Sequence, residues 1–128
     1  MDEQPTLGDR ELDVMAVLWE TGSGTVGEVR ERLPATLAYT TVLTILRNLE
    51  AKGFVSHEEE GRAHRYTPRV AQRSAQRNAL ARLVDKLFEG SPEELLARLV
   101  DDHDLPAGEL QRLARRLREQ GKKKGGAR

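Results

Sequence analysis

The chain has 128 residues, 33% of them charged and only 4% aromatic, enough for one medium or two small domains with Leu, Val and Ala cores. It has no cysteine, which excludes disulfides, thiolate metal sites and thiol redox switches, and no apolar run near about 18 residues, which predicts a cytoplasmic protein without a membrane span. The net charge is zero, but residues 1–70 hold 8 Lys or Arg against 12 Asp or Glu and residues 71–128 hold 13 against 9, which excludes nucleic-acid binding through bulk positive charge alone.

Residues 1–7 are polar and contain a proline, as in a flexible lead-in. From Gly8 to Glu20 the repeat Leu12, Met15, Ala16, Trp19 predicts a first helix, with Trp19 in the core and Asp9, Glu11 and Asp13 complementing the helix dipole. Thr-Gly-Ser-Gly stops it. Thr25 and Glu28 have the spacing of a capping box, so a short second helix starts at Val26, buries Val29 and Leu33, and ends at Pro34.

Thr36 to Tyr39 turns the chain into Ala38–Phe54, where Val42, Ile45, Leu46 and Leu49 recur on one helix face. The opposite face carries Thr40, Thr44, Arg47 and Ala51, slim and rich in hydroxyl donors. Two readings are open for this segment: an ordinary amphipathic helix, or one shaped for close approach to a DNA groove. Its neighbours favour the second, because two short helices joined by a tight turn make a helix-turn-helix. After Gly53, FVSHEEEGRAHRYTP reads as two strands about a turn at Glu60-Gly61. A hairpin directly after a recognition helix is a wing, and Arg62 and Arg65 are placed there to meet phosphates or the minor groove. Glu58, Glu59 and Glu60 oppose this and are expected to point away from DNA or to weaken nonspecific binding.

The order LGDRELDVMAVLW, TVGEVRERL, LAYTTVLTILRNLEAKGFV and GRAHRYTP resembles the penicillinase-repressor family (BlaI/MecI), in particular its actinobacterial members. The likeness covers about the first 70 residues well and the helical remainder in length and layout. It implies a winged-helix transcriptional repressor that dimerises through its C-terminal helices and binds a palindromic operator in double-stranded DNA. Carried over by position, the DNA-facing residues are Tyr39, Thr40, Thr41, Thr44 and Arg47, with Arg62 and Arg65 on the wing. It also implies relief of repression by a regulatory protease or another inducer. The family's scissile Asn-Phe pair is absent, however, with Arg98-Leu99 near that position, and the cysteines of copper-responsive relatives are missing too.

Residues 70–76 form a polar link. Leu80, Leu83, Val84, Leu87 and Phe88 form a helical stripe ending near Gly90, and Ser91-Pro92-Glu93-Glu94 is a strong helix start. Leu95, Leu96, Leu99 and Val100 make the next apolar face. A last helix from about Pro106, capped by Asp104, presents Leu110, Leu113, Ala114 and Leu117 and stops at Gly121. These short, leucine-striped helices bury little by themselves and are expected to pair with a second copy. The expected architecture is thus mainly α: a winged helix-turn-helix of three helices and a hairpin at 1–70, a helical dimerisation domain at 71–120, and a disordered basic tail at 121–128.

No enzyme is legible. His57, His64 and His103 lie outside any catalytic or metal-binding motif, so neither cofactor nor metal is expected; His57 and His64 sit on opposing strands of the wing, and Asp101, Asp102, His103 and Asp104 read as a helix-terminal loop. The rival reading is a protein-interaction module that uses a winged helix without specific DNA binding, supported by the acidic balance of residues 1–70.

Overall fold

Among the described residues, hydrophobic spacing, capping residues and turn glycines combine into six helices and a small three-stranded sheet. A computed structural model describes residues 5–102 and 105–125, with the side chains of 107 and 121–125 excepted. In order the elements are α1 (Asp9–Thr21), β1 (Gly24–Thr25), α2 (Val26–Arg32), α3 (Tyr39–Ala51), β2 (Val55–Glu60), β3 (Ala63–Pro68), α4 (Gln72–Leu87), α5 (Pro92–Asp102) and α6 (Ala107–Gly125). The chain divides into two compact units, Met1–Leu80 and Ala81–Arg128, so the division falls inside α4, ten residues past the expected boundary at 70. No described helix is long and apolar enough to cross a membrane.

In the first unit α1, α2 and α3 pack with the sheet around Val14, Met15, Leu18, Val29, Val42, Leu46, Leu49, Phe54, Val55 and Tyr66. The buried face of α1 is Val14, Met15, Val17 and Leu18; Leu12, expected inside, is 45% exposed, and Ala16 is exposed as well. Residues 14–19 are all apolar, so more than one face fits the helical repeat and only packing chooses between them. Trp19 packs at the edge of the core and donates its indole N–H to the Val70 carbonyl at 2.8 Å, tying α1 to the chain leaving the hairpin. The capping box of α2 forms as expected: Glu28 N–H donates to Thr25 Oγ1 and Thr25 N–H to Glu28 Oε1, both at 3.2 Å.

The sheet order is β1-β3-β2, antiparallel throughout. The two-residue β1 pairs Gly24 with Tyr66 and Thr25 with Arg65, a strand too short for any periodicity to announce. Between β2 and β3 the register runs from Val55–Pro68 to Glu60–Ala63, so the turn residues are Gly61 and Arg62, one position later than expected. Gly61 has φ +61°, the left-handed conformation that a two-residue turn with glycine at its first central position requires.

In the second unit Ser91 caps α5 as expected, accepting from Glu94 N–H at 3.2 Å. The backbone of α6 runs on to Gly125, past the stop expected at Gly121; one helical glycine costs only about 1 kcal/mol relative to alanine and does not end a helix unaided. The expected cap at Asp104, His103 beside it, and residues 1–4 and 126–128 lie outside the described residues. None of the twelve apolar residues expected at the dimer interface is buried in a single copy: Leu80, Leu83, Leu87, Leu96, Leu99, Leu113 and Leu117 are exposed, and Val84, Phe88, Leu95, Val100 and Leu110 are half-buried.

Candidate nucleic-acid interface

Leu37 and the turn before α3 set how the second helix of the pair is presented. Arg30, near the end of α2, donates its Nε–H to the Leu37 carbonyl at 2.7 Å and closes the six residues between α2 and α3. Val42, Leu46 and Leu49 anchor α3 in the core, with Ile45 half-buried beside them. Three contacts pin it further. Its last turn leads into Lys52, whose ammonium donates to Glu11 at 2.7 Å and to the Thr6 carbonyl at 3.0 Å. Its flank is held by Glu50, whose carboxylate contacts His57 Nδ1 of β2 at 2.7 and 2.9 Å. Gly53, with φ +87°, then turns the chain into the buried Phe54.

Glu11 is drawn into this support. Burial raises its pKa, but the hydrogen bonds from Lys52 and from the Gly8 amide outweigh that, and the carboxyl lies below its usual range.

What α3 leaves exposed is Tyr39, Thr40, Thr41, Thr44, Arg47, Asn48 and Ala51, a face without a carboxylate. Five of the expected contact residues are thereby brought together on it. Its start is also open: Ala38 occupies the N-cap, no side chain caps the helix, and no acidic residue stands in the first turn. The amides there are free for an anionic acceptor at the positive end of the helix dipole. Thr44 differs from the expectation of a donating hydroxyl. It gives its proton to the Thr40 carbonyl at 3.0 Å and therefore presents an acceptor and a methyl group. Arg47 makes no hydrogen bond or ion pair with another described residue, and its five donors remain available. Asn48 was not singled out from the sequence, although it follows Thr44 by one helical turn and its amide suits the edge of an adenine.

The wing separates its two arginines. Arg62 stands exposed at the hairpin turn with no hydrogen bond or ion pair to a described residue. Arg65 is engaged on every side, against the expectation of a guanidinium presented to phosphate. Its Nε and Nη2 donate to Glu60 at 2.7 and 2.9 Å, its Nη1 and Nη2 donate to Glu28 at 3.1 and 3.2 Å, and Nη1 also reaches Ser23 Oγ at 3.2 Å. Glu60 is held below the usual carboxylate range by Arg65, and Glu28 by Arg65 and the Thr25 amide. The parity of the strands explains the difference. Tyr66 is buried, so Arg65 beside it points to the other side of the sheet, where Glu58 lies directly opposite and Glu60 next along. His57 and His64 share the Tyr66 side and stack with ring centroids 4.4 Å apart. Among the described residues no group of three or more His, Cys, Asp or Glu side chains is placed to hold a metal ion.

The sequence and the fold have known relatives. Over 126 residues, 97% of this chain and 98% of the other, the sequence is 27% identical to the penicillinase repressor of Bacillus licheniformis. It is 49% identical over 65 residues to the transcriptional regulator BlaI of Mycobacterium tuberculosis, a match covering 48% of this chain and 47% of that protein. The solution structure of the DNA-binding domain of the repressor BlaI superposes with a TM-score of 0.50 at 36% identity, over 56% of this chain and 90% of that one. The profile of the penicillinase repressor family matches residues 7–119, nearly the whole chain, and the protein belongs to that family of winged-helix transcriptional repressors.

Proposed function

We propose that the protein is a homodimeric repressor that binds a palindromic operator in double-stranded DNA and blocks transcription by occupying the promoter. The observation that carries this reading is the exposed face of α3, free of carboxylates, uncapped at its start and bearing Arg47 and Asn48, whose side chains make no hydrogen bond or ion pair with another described residue. Thr40, Thr44, Arg47 and Asn48 then meet base edges in the major groove, with Tyr39, Thr41 and the first-turn amides on the backbone. Arg62 reaches the phosphates from the wing.

A second copy is supported by the unburied leucines of α4, α5 and α6. Covering the remaining exposed half of seven leucines is worth about 1 kcal/mol apiece, or roughly 14 kcal/mol over two copies, near the upper end of the roughly 4–15 kcal/mol that association costs. Two copies present two recognition helices to two half-sites. The resemblance also implies an inducer or regulatory protease. Here the pair at the family's cleavage position, Arg98 and Leu99, lies inside α5, so cutting there requires that helix to open locally.

The acidic balance of residues 1–70 supports a second reading, a winged helix that docks a protein. A gel-shift series on the region upstream of the chain's own gene, at physiological salt with competitor DNA, decides between them. Specific retardation is expected; none at micromolar protein overturns the repressor reading.

A further inference from the structure

Arg65 sits where three parts of the first unit meet. Its partner Glu28 belongs to the first turn of α2 and also caps that helix, accepting from the Thr25 amide. Its other partner, Glu60, is the last residue of β2 before the turn that carries Arg62. Arg65 itself lies on β3, paired in register with Thr25 of β1 on one side and Glu58 of β2 on the other. One planar guanidinium thus joins the helix-turn-helix to the wing tip through two carboxylates, each contacted by two nitrogens, a geometry that lysine cannot reproduce. The same carboxylates make this a poor place for phosphate: Glu28, Glu58 and Glu60 leave two negative charges uncompensated around Arg65.

We infer that Arg65 is a positioning residue, which bridges Glu28 and Glu60 to hold the wing against the start of α2 and so sets where Arg62 meets the DNA backbone. This rests on the proposed DNA-binding reading for its consequence, though the bridge is a property of the free protein. Removing it frees the tip of the hairpin, while the core, with Val55 and Tyr66 at the base of the hairpin, stays in place, since none of the three bridging side chains is buried.

The test uses the full-length protein and three variants, Arg65→Met, Arg65→Lys and the pair Glu28→Gln/Glu60→Gln. Glutamine keeps the α2 cap. Amide hydrogen exchange without DNA is expected to speed up in β1 and β3 in all three, with little change in α3. Binding to the retarded fragment is expected to weaken about fivefold for Arg65→Met, the upper end for an exposed network. The glutamine pair is the sharper case. It removes two negative charges per copy, which by charge alone tightens binding, yet loss of the bridge makes it bind more weakly. Equal or tighter binding by that pair overturns the inference. If Arg65→Met does not fold, the glutamine pair still decides. If the unaltered protein retards no DNA, the repressor reading fails by itself, and hydrogen exchange alone judges the bridge: faster exchange in β1 and β3 of the glutamine pair supports it, and unchanged exchange overturns it.

Discussion

Leu87, the last residue of α4, is the most exposed of the seven exposed leucines on the C-terminal helices at 68%, and replacing it with glutamine tests the dimer directly. Glutamine is nearly as good a helix former as leucine, and the side chain is not buried in one copy, so the monomer fold is expected to stand. Burying a whole leucine side chain is worth about 1.5–3 kcal/mol, so covering the exposed two-thirds of this one contributes roughly 1–2 kcal/mol. A two-fold interface contains the residue twice, which doubles the loss to roughly 2–4 kcal/mol. The dimer dissociation constant should therefore rise by roughly 30- to 700-fold. Sedimentation equilibrium across nanomolar to micromolar protein measures this. An unchanged constant removes Leu87 from the interface, and a clean 14.4 kDa monomer for the unaltered chain at micromolar concentration refutes the dimer itself.

Arg47→Ala is expected to weaken specific binding by about 1–3 kcal/mol and to relax base preference at one position of each half-site, measured by anisotropy on matched and mutated fragments. Full affinity in that variant would place Arg47 outside the groove. Arg62→Ala should weaken binding to all sequences alike and lower the salt slope by about 0.9 per copy, whereas a constant slope means that the wing tip touches no phosphate. Glu11 supplies a pH test. Its folded pKa lies below the unfolded value of about 4.3, so its contribution to stability is present above that pH and lost as pH falls through the folded value. Lys52→Met is expected to shrink the drop in urea midpoint between about pH 6 and pH 3; an undiminished drop would mean that other carboxylates carry it.

The helix-turn-helix and the hairpin were legible because each rests on a local signal. Thr25 and Glu28 announce α2, the repeat Val42, Leu46, Leu49 announces the buried side of α3, and Gly61 announces the turn. What escaped was non-local. The buried face of α1 was ambiguous from Val14 to Trp19, and Gly24–Thr25 is a strand only because β3 lies beside it. Arg65 is the instructive case. Strand parity against Tyr66 sets its side of the sheet, the side that also carries Glu58 and Glu60; but Glu28, 37 residues away, becomes a partner only through the fold. The hydroxyl of Thr44 turned inward by a local bond that the periodicity does not show, since a helical threonine can donate to the carbonyl one turn back.

The ties around α3 bear on how a chain with an acidic first 70 residues binds DNA on the proposed reading. With little long-range attraction to raise the encounter rate, affinity has to come from contacts that cost little to order. Arg30 on the Leu37 carbonyl, Lys52 on Glu11 and Glu50 on His57 hold the two ends and the flank of α3 before any DNA arrives. The exposed face is then presented in one pose, and binding orders a few side chains instead of a helix. A single rigid face with one wing arginine still makes few phosphate contacts, so one copy alone binds weakly. Joining two copies makes the second half-site contact intramolecular, at an effective concentration far above that of the free protein. Operator occupancy should therefore follow the dimer fraction, and Leu87→Gln should lower operator affinity at protein concentrations below its raised dissociation constant and leave it unchanged well above.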